Sequence, residues 1–175
     1  MSRSGYSDDP GECRDFNMYR GTVDRIIEGR RGQAFLRELV SALDTLPVRA
    51  LRADVFVERE QVCAMGAVAV ARGVDAKRLS IVDPEEPESV GKLLGIPRQL
   101  AAEIAFENDE VACGDDEDRW HYMHNWATSQ IKPQQVHRCS WCMRELTIRR
   151  GKVASHKYNG GPCPGSRKPP HGSNT

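Results

Sequence analysis

Three cysteines and one histidine near the end of the sequence have the spacing of a metal site. Two residues separate Cys139 from Cys142, so one tight turn can direct both sulfurs at a single ion. His156 follows after an interval of thirteen residues, and Cys163 after six more. Thiolate sulfur and imidazole nitrogen are the ligands of tetrahedral structural zinc sites, and four of them leave no open position for catalysis. The sequence therefore predicts one structural Zn²⁺.

The chain between these residues can bring them together. Residues 146–148 and 152–154 are predicted to form two short strands about Arg150-Gly151, a hairpin that would return His156 to the first cysteine pair. Four further residues favour turns that let Cys163 complete the site, namely Gly160, Gly161, Pro162 and Pro164. Because so short a segment has little apolar surface to bury, coordination would supply most of its folding free energy, on the order of 10 kcal/mol.

Two other histidines are rival ligands. His137 lies only two residues before Cys139, where it would crowd the turn, and His171 lies in a Pro- and Gly-rich end, so His156 is preferred. The remaining alternative is that the four residues lie together by chance in a disordered basic tail.

The preceding chain has the periodicity of a small helical domain. Apolar residues recur every three to four positions in several segments that end near Gly or Pro. Helices are predicted at residues 14–28, 33–46, 63–72, 87–94, 98–108 and 117–131. Residues 51–62, with a β-prone centre, are predicted to form a short hairpin or an extended stretch. The predicted fold class is mainly α, a small helical domain followed by a short zinc-stabilised β-hairpin module.

The formal net charge of zero combines two opposite charges. Residues 1–131 contain 16 basic and 24 acidic residues, whereas residues 132–175 contain nine basic residues and one acid, Glu145. The two parts therefore carry −8 and +8, or about +7 for the second part once three thiolates and one Zn²⁺ are included. The domains predicted are a flexible N-terminus (1–12), an acidic helical domain (13–131), a linker (132–138), a zinc-binding module (139–168) and a disordered tail (169–175).

The basic module indicates a binding partner. Cationic side chains attract phosphates and aromatic rings can stack on bases, so nucleic-acid binding is the first hypothesis. The residues that would carry it are Arg138, Trp141, Arg144, Arg149, Arg150, Lys152, Lys157 and Tyr158, with Arg167 and Lys168 nearby. Alternatively, the module is basic only to dock on the acidic domain or to face solvent. The second hypothesis is a protein-binding effector that inhibits or redirects another protein.

Residues 90–108 have the outline of a helix-turn-helix. A recognition helix should present basic or amide side chains to the groove, as Arg98 and Gln99 could do. However, Glu103, Glu107 and Asp109 would face phosphate, so two packed helices are the preferred interpretation.

A second metal site could be imagined from His121 and His124, three residues apart, together with Cys113 and Cys13. Packing or surface roles for the two histidines are preferred. The three isolated cysteines, at positions 13, 63 and 113, are predicted to be small buried hydrophobes.

Enzymatic signatures are weak. The acidic run of residues 115–118 could bind Mg²⁺ in a hydrolase, but consecutive carboxylates at a helix start usually cap it. No Ser-His-Asp order, phosphate-binding glycine loop or kinase motif occurs, so the protein is predicted not to be an enzyme, and a small-molecule substrate is not expected.

The sequence has neither a run of eighteen apolar residues nor an apolar segment near its start. We therefore expect a soluble, intracellular protein without a membrane partner, whose cysteines bind metal in a reducing compartment.

Four stretches of the helical part, residues 2–9, 32–39, 63–68 and 108–110, carry a resemblance to other proteins. Through them, most of residues 1–131 resembles an uncharacterised family of small phage and prophage proteins. Separately, the tail from Cys139 through His156 to residues 163–166 resembles short zinc-binding segments of many phage and bacterial proteins. Neither resemblance implies an activity. Together they imply a mobile element within a bacterium, a location in the cytoplasm of the bacterial host cell, and a role in replication, regulation or host takeover. The target of the effector in the second hypothesis would then be a host protein, for example one of defence or transcription.

Overall fold

The computed structural model describes residues 13–58, 61–79, 83, 86–133, 137–149 and 151–171. The predicted flexible N-terminus (1–12) and the last four residues of the predicted disordered tail lie outside the described residues. The chain separates into two compact units, Met1–Lys132 and Pro133–Thr175. We call them the helical unit and the C-terminal module. The boundary between them falls at the start of the predicted linker, and the finer domain limits stay predictions.

Helices dominate the first unit, and the predicted mainly α fold class is confirmed. In chain order they are α1 (Cys13–Glu28), α2 (Arg30–Asp44), α3 (Ala64–Ala71), α4 (Ala76–Leu79), α5 (Pro87–Leu94), α6 (Arg98–Phe106) and α7 (Asp116–Gln130). A π-helical turn, Glu107–Val111, continues α6. The predicted segment 51–62 contains a short antiparallel hairpin of β1 (Val57–Glu58) and β2 (Gln61–Val62). The helix α4 and the π-helical turn were not predicted.

Helix α2 is the centre of the unit and packs against α1, α3 and α7. Its predicted apolar stripe is buried at Leu36, Leu39 and Leu43, which are all 0% exposed. Val40 and Leu46 are only partly buried. Burying one such leucine side chain contributes about 1.5–3 kcal/mol, so apolar burial is the main stabilising term here.

The helices α5 and α6 pack against each other, as the preferred interpretation expected. The expectation that Glu103 would face phosphate is wrong, because this side chain is only 1% exposed. Its carboxylate accepts a hydrogen bond of 2.6 Å from Arg20 on α1. Glu103 thus links α6 to α1 through Arg20, a residue 83 positions away in the sequence. Local sequence patterns do not reveal a contact over that separation.

The acidic run begins α7 as a helix cap. The Asp115 side chain accepts hydrogen bonds from the backbone N–H groups of Glu117 and Asp118, both at 2.9 Å. The Asp118 side chain accepts in return from the Asp115 backbone, which completes a capping box. These contacts support the capping interpretation of the run.

The isolated cysteines do not behave alike. Cys63 is buried as predicted, but Cys113 is exposed, so the expectation of burial is wrong for that residue. It lies just after the π-helical turn, where the chain leaves the core. The side chain of Cys13 lies outside the described residues. Among those residues, every helix is too short or too polar to cross a lipid bilayer.

Candidate metal centre

Two short hairpins form the framework of the C-terminal module. The first pairs β3 (Ile148–Arg149) with β4 (Lys152–Val153), within the predicted hairpin. The second pairs β5 (Lys157–Tyr158) with β6 (Gly161–Pro162) and was not predicted as strands. Its turn residues Asn159 and Gly160 both have positive φ, 49° and 82°, as a type I′ turn requires. The Asn-Gly dipeptide was the signal that could have identified it.

The structure brings the four predicted ligands together. Their ligand atoms, from Cys139, Cys142, His156 and Cys163, all lie within 4.8 Å of one another. The sulfurs of Cys139 and Cys163 are 3.7 Å apart, and Cys142 Sγ lies 3.2 Å from His156 Nε2. A tetrahedral zinc ion with three thiolates separates its sulfurs by about 3.8 Å, whereas a disulfide requires about 2.0 Å. The spacing therefore fits shared coordination of one ion.

The first cysteine pair lies in a tight backbone turn. The N–H of Met143 donates to the carbonyl of Cys139 at 3.0 Å, and the N–H of Trp141 points at the Cys139 sulfur at 3.4 Å. Burial raises the pKa of the Cys139 thiol, but hydrogen bonds from the backbone of Cys142 and Trp141 and from the neighbouring thiols outweigh it and lower that pKa to about 6. The thiolate form of Cys139 is thus favoured near neutral pH, whereas burial raises the pKa of the Cys163 thiol.

The imidazole of His156 is already oriented for coordination. Its Nδ1 lies 2.9 Å from the carbonyl oxygen of Ala154, which can only accept, so Nδ1 carries the proton. In the neutral imidazole Nε2 is then the unprotonated nitrogen, and it faces the sulfur of Cys142. The hydrogen bond to Ala154 also raises the pKa of the imidazole, as expected for a more basic ligand.

Gly165 and Ser166, which follow Cys163 in the sequence, support the site, and neither was assigned a role from the sequence. Ser166 Oγ accepts from the backbone N–H of His156 at 3.1 Å and lies 3.0 Å from the carbonyl of that residue. Gly165 is buried, and a Cβ there would lie 2.3 Å from the Cys139 sulfur. Only glycine fits this position without moving a ligand. The pattern Cys-Pro-Gly-Ser after the last strand was the available signal.

The ligands make up most of what the module buries. Among its described residues, the buried apolar side chains are Cys139, Val153 and Cys163. One aliphatic side chain and two thiols form a very small core, so the packing alone contributes little folding free energy.

The other candidate ligands lie elsewhere. Neither His137 nor His171 belongs to the cluster, and this cluster is the one group of metal-ligating side chains found among the described residues. His124 Nε2 instead lies 3.1 Å from Asp44 Oδ1, and its ring stacks on Trp120 at 4.9 Å. The exposed His121 lies 3.8 Å from a carboxylate oxygen of Glu117.

The predicted nucleic-acid-binding side chains are exposed wherever the structure describes them. They are Arg138, Trp141, Arg144, Lys152, Lys157 and Tyr158, together with Arg167 and Lys168. Arg138 is paired with the module's single acid, Glu145, at 3.3 Å. The side chain of Arg149 and the whole of Arg150 lie outside the described residues.

Comparison of the chain with models of protein families, with curated proteins and with solved structures finds no match. The predicted resemblance to phage and prophage proteins therefore stays a prediction. The fold and the site define a class, a mainly α protein with a candidate Cys₃His metal site in a small C-terminal β module. The candidate metal cluster and the charge of the C-terminal module are therefore the features that bear on function.

Proposed function

We propose that the C-terminal module binds one structural Zn²⁺ and presents a basic surface to nucleic acid. The single observation behind the metal assignment is the convergence of four ligand atoms within 4.8 Å. Three soft sulfurs and one neutral imidazole favour Zn²⁺ over Ca²⁺ or Mg²⁺, which prefer oxygen ligands. Because four protein ligands fill a tetrahedral shell, the ion has a structural rather than a catalytic role.

Charge is the basis of the nucleic-acid proposal. Residues 132–175 carry nine basic side chains against one acid, and Arg138 already neutralises that acid. The exposed cations Arg144, Lys152 and Lys157 have no acidic neighbour within their own module other than Glu145. Such a surface attracts phosphate and releases counterions when it binds.

The resemblance to phage and prophage proteins adds a setting to this proposal. It favours an accessory protein of a bacterial mobile element, acting in replication, regulation or host takeover. The proposal does not depend on that setting, because it rests on the metal cluster and the charge of the module.

A salt titration of the full-length, zinc-loaded chain tests the proposal. The test variant replaces three exposed module cations, Lys152→Gln, Lys157→Gln and Lys168→Gln. The matched control replaces three exposed cations of the helical unit, Arg30→Gln, Arg31→Gln and Arg78→Gln. Nucleic-acid affinity should fall steeply with salt, and each lost phosphate contact should reduce the log–log slope by about 0.7–0.9.

We expect the module variant to lose affinity and slope while the control variant retains both. Equal affinity of the module variant and the unmodified chain would show that the module is not the binding surface.

A further inference from the structure

Two aromatic side chains of the module are exposed, unlike those of the helical core. Trp141 is 63% exposed and Tyr158 is 41% exposed, whereas Phe35, Phe56 and Trp120 are at most 4% exposed. Large aromatic rings that remain in water have apolar surface available for a partner. The exposed faces of the Trp141 and Tyr158 rings are therefore available to a binding partner.

Both rings belong to residues that lie next to, or two positions from, a candidate metal ligand in the sequence. Trp141 directly precedes the ligand Cys142, and its backbone N–H points at the Cys139 sulfur. Tyr158 lies two residues after the ligand His156, on β5, whose partner strand follows a tight type I′ turn. Metal coordination would fix the backbone at Trp141, and the hairpin fixes it at Tyr158, so little backbone freedom would be lost when a partner binds.

The two ring-bearing segments are joined by a cationic side chain. Arg144, two residues after Cys142, donates a hydrogen bond of 3.3 Å from Nη1 to the carbonyl oxygen of Lys157. The exposed cations Arg144 and Lys157 therefore accompany the two rings on adjacent segments of the module. Aromatic rings that can stack on bases, together with cations that attract phosphates, are the features that proteins use to bind single strands.

We propose that Trp141 and Tyr158 stack on unpaired bases, so that the module binds single-stranded nucleic acid in preference to duplex. In a duplex the faces of the bases are covered by their neighbours, and an exposed ring gains no contact there. In a single strand every base offers a face, irrespective of sequence. The inference rests on the proposed nucleic-acid function and deepens it by naming the form of the ligand.

Binding of end-labelled oligonucleotides by the full-length zinc-loaded protein tests this preference. The probes are a single-stranded DNA, the same sequence as RNA, and a duplex of equal length, all at one salt concentration. Stacking on one base contributes about 1–3 kcal/mol, so Trp141→Leu should weaken single-strand binding by about 5- to 150-fold. Its duplex affinity should change little.

Tyr158 supplies a matched pair of variants. Tyr158→Leu removes the ring and should weaken single-strand binding, whereas Tyr158→Phe keeps the ring, removes only the hydroxyl and should bind as the unmodified chain does. Trp141→Phe should retain most of the affinity for the same reason. One zinc per chain in each variant shows that the module is still folded.

The binding results distinguish failure of the stacking inference from failure of the proposed nucleic-acid function. Duplex binding as tight as single-strand binding, or a zinc-loaded Trp141→Leu protein with unchanged single-strand affinity, would overturn the stacking inference and leave the proposed function intact. Absence of binding to all three probes would overturn the proposed function, and the stacking inference with it.

Discussion

The helical unit and the C-terminal module achieve their folds by different means. The helical unit buries a continuous set of aliphatic side chains, with Leu36, Leu39, Leu43 and Leu100 all 0% exposed. In the described part of the module, Val153 is the one buried aliphatic side chain, and the other buried side chains are those of two candidate metal ligands, Cys139 and Cys163. The chain thus places most of its buried apolar residues in the helical unit and its candidate metal ligands in the C-terminal module. We therefore expect each unit to respond to a different perturbation.

Removing one ligand should have the largest effect. Cys163→Ala leaves the ion with three protein ligands and removes a side chain that is 3% exposed. Because coordination supplies on the order of 10 kcal/mol in small zinc modules, we expect the module to unfold while the helical unit remains folded. Amide hydrogen exchange of the full chain measures both units at once. Protection retained in the module of this variant would contradict the account.

Truncating a core leucine should have the converse effect. Leu39→Ala creates a cavity in the helical unit and should lower its free energy of unfolding by about 2–5 kcal/mol, with metal affinity unchanged. Denaturant unfolding followed by circular dichroism measures the loss. Val70→Ala, at a helix position that is 48% exposed, is the control and should cost less than about 0.5 kcal/mol. An equal loss in the two variants would argue against a core centred on α2.

Removing a hydroxyl beside the cluster should have a moderate effect. Ser166 holds both the N–H and the carbonyl of His156, so Ser166→Ala should weaken metal binding by about 10- to 100-fold without abolishing it. Competition with a chelator of known affinity measures this change. The exposed Ser155, which directly precedes His156, provides the control Ser155→Ala. If both variants bind metal equally, Ser166 is not a positioning residue.

The smallest effect concerns pH and the helical unit alone. Burial raises the pKa of Glu107 above its ordinary value of 4.5, although a 2.6 Å hydrogen bond from the Tyr122 hydroxyl opposes this. The folded unit therefore binds this proton more tightly than the unfolded chain does, and stability falls as pH rises from 4.5 through the raised pKa.

A glutamine at position 107 can still accept the tyrosine hydroxyl without carrying a charge. Glu107→Gln should thus be more stable than the unmodified chain at pH 7, with the difference shrinking below pH 4.5. Unfolding measured across this pH range checks the sign. A variant that is less stable at pH 7 would show that the ionised carboxylate is stabilising.

Local pattern was sufficient for the helices and for the ligands of the module. Helical spacing predicted α2, although the helix begins three residues earlier than expected, at Arg30. The spacing of Cys139, Cys142, His156 and Cys163 predicted the cluster that the structure brings together. The helical spacing can be recognised within a short stretch of chain. Closely spaced cysteines with a nearby histidine have few roles other than metal binding.

Features that depend on distant contacts could not be predicted in this way. The burial of Glu103 depends on Arg20, 83 residues away, and Gly165 is required by the sulfur of a ligand 26 positions earlier. Cys113 is exposed and lies two residues after the end of the π-helical turn, and neither the turn nor the exposure was predicted from local sequence. The β5–β6 hairpin differs from these features, because Asn159-Gly160 is a strong local signal from which it could have been predicted.

Metal analysis of the purified full-length protein tests the central claim most directly. Elemental analysis after exhaustive dialysis should find one zinc ion per chain, and replacement by Co²⁺ should give the absorption bands of a tetrahedral site with thiolate ligands. A protein that contains no stoichiometric metal and gives no such bands with Co²⁺ would contradict the account.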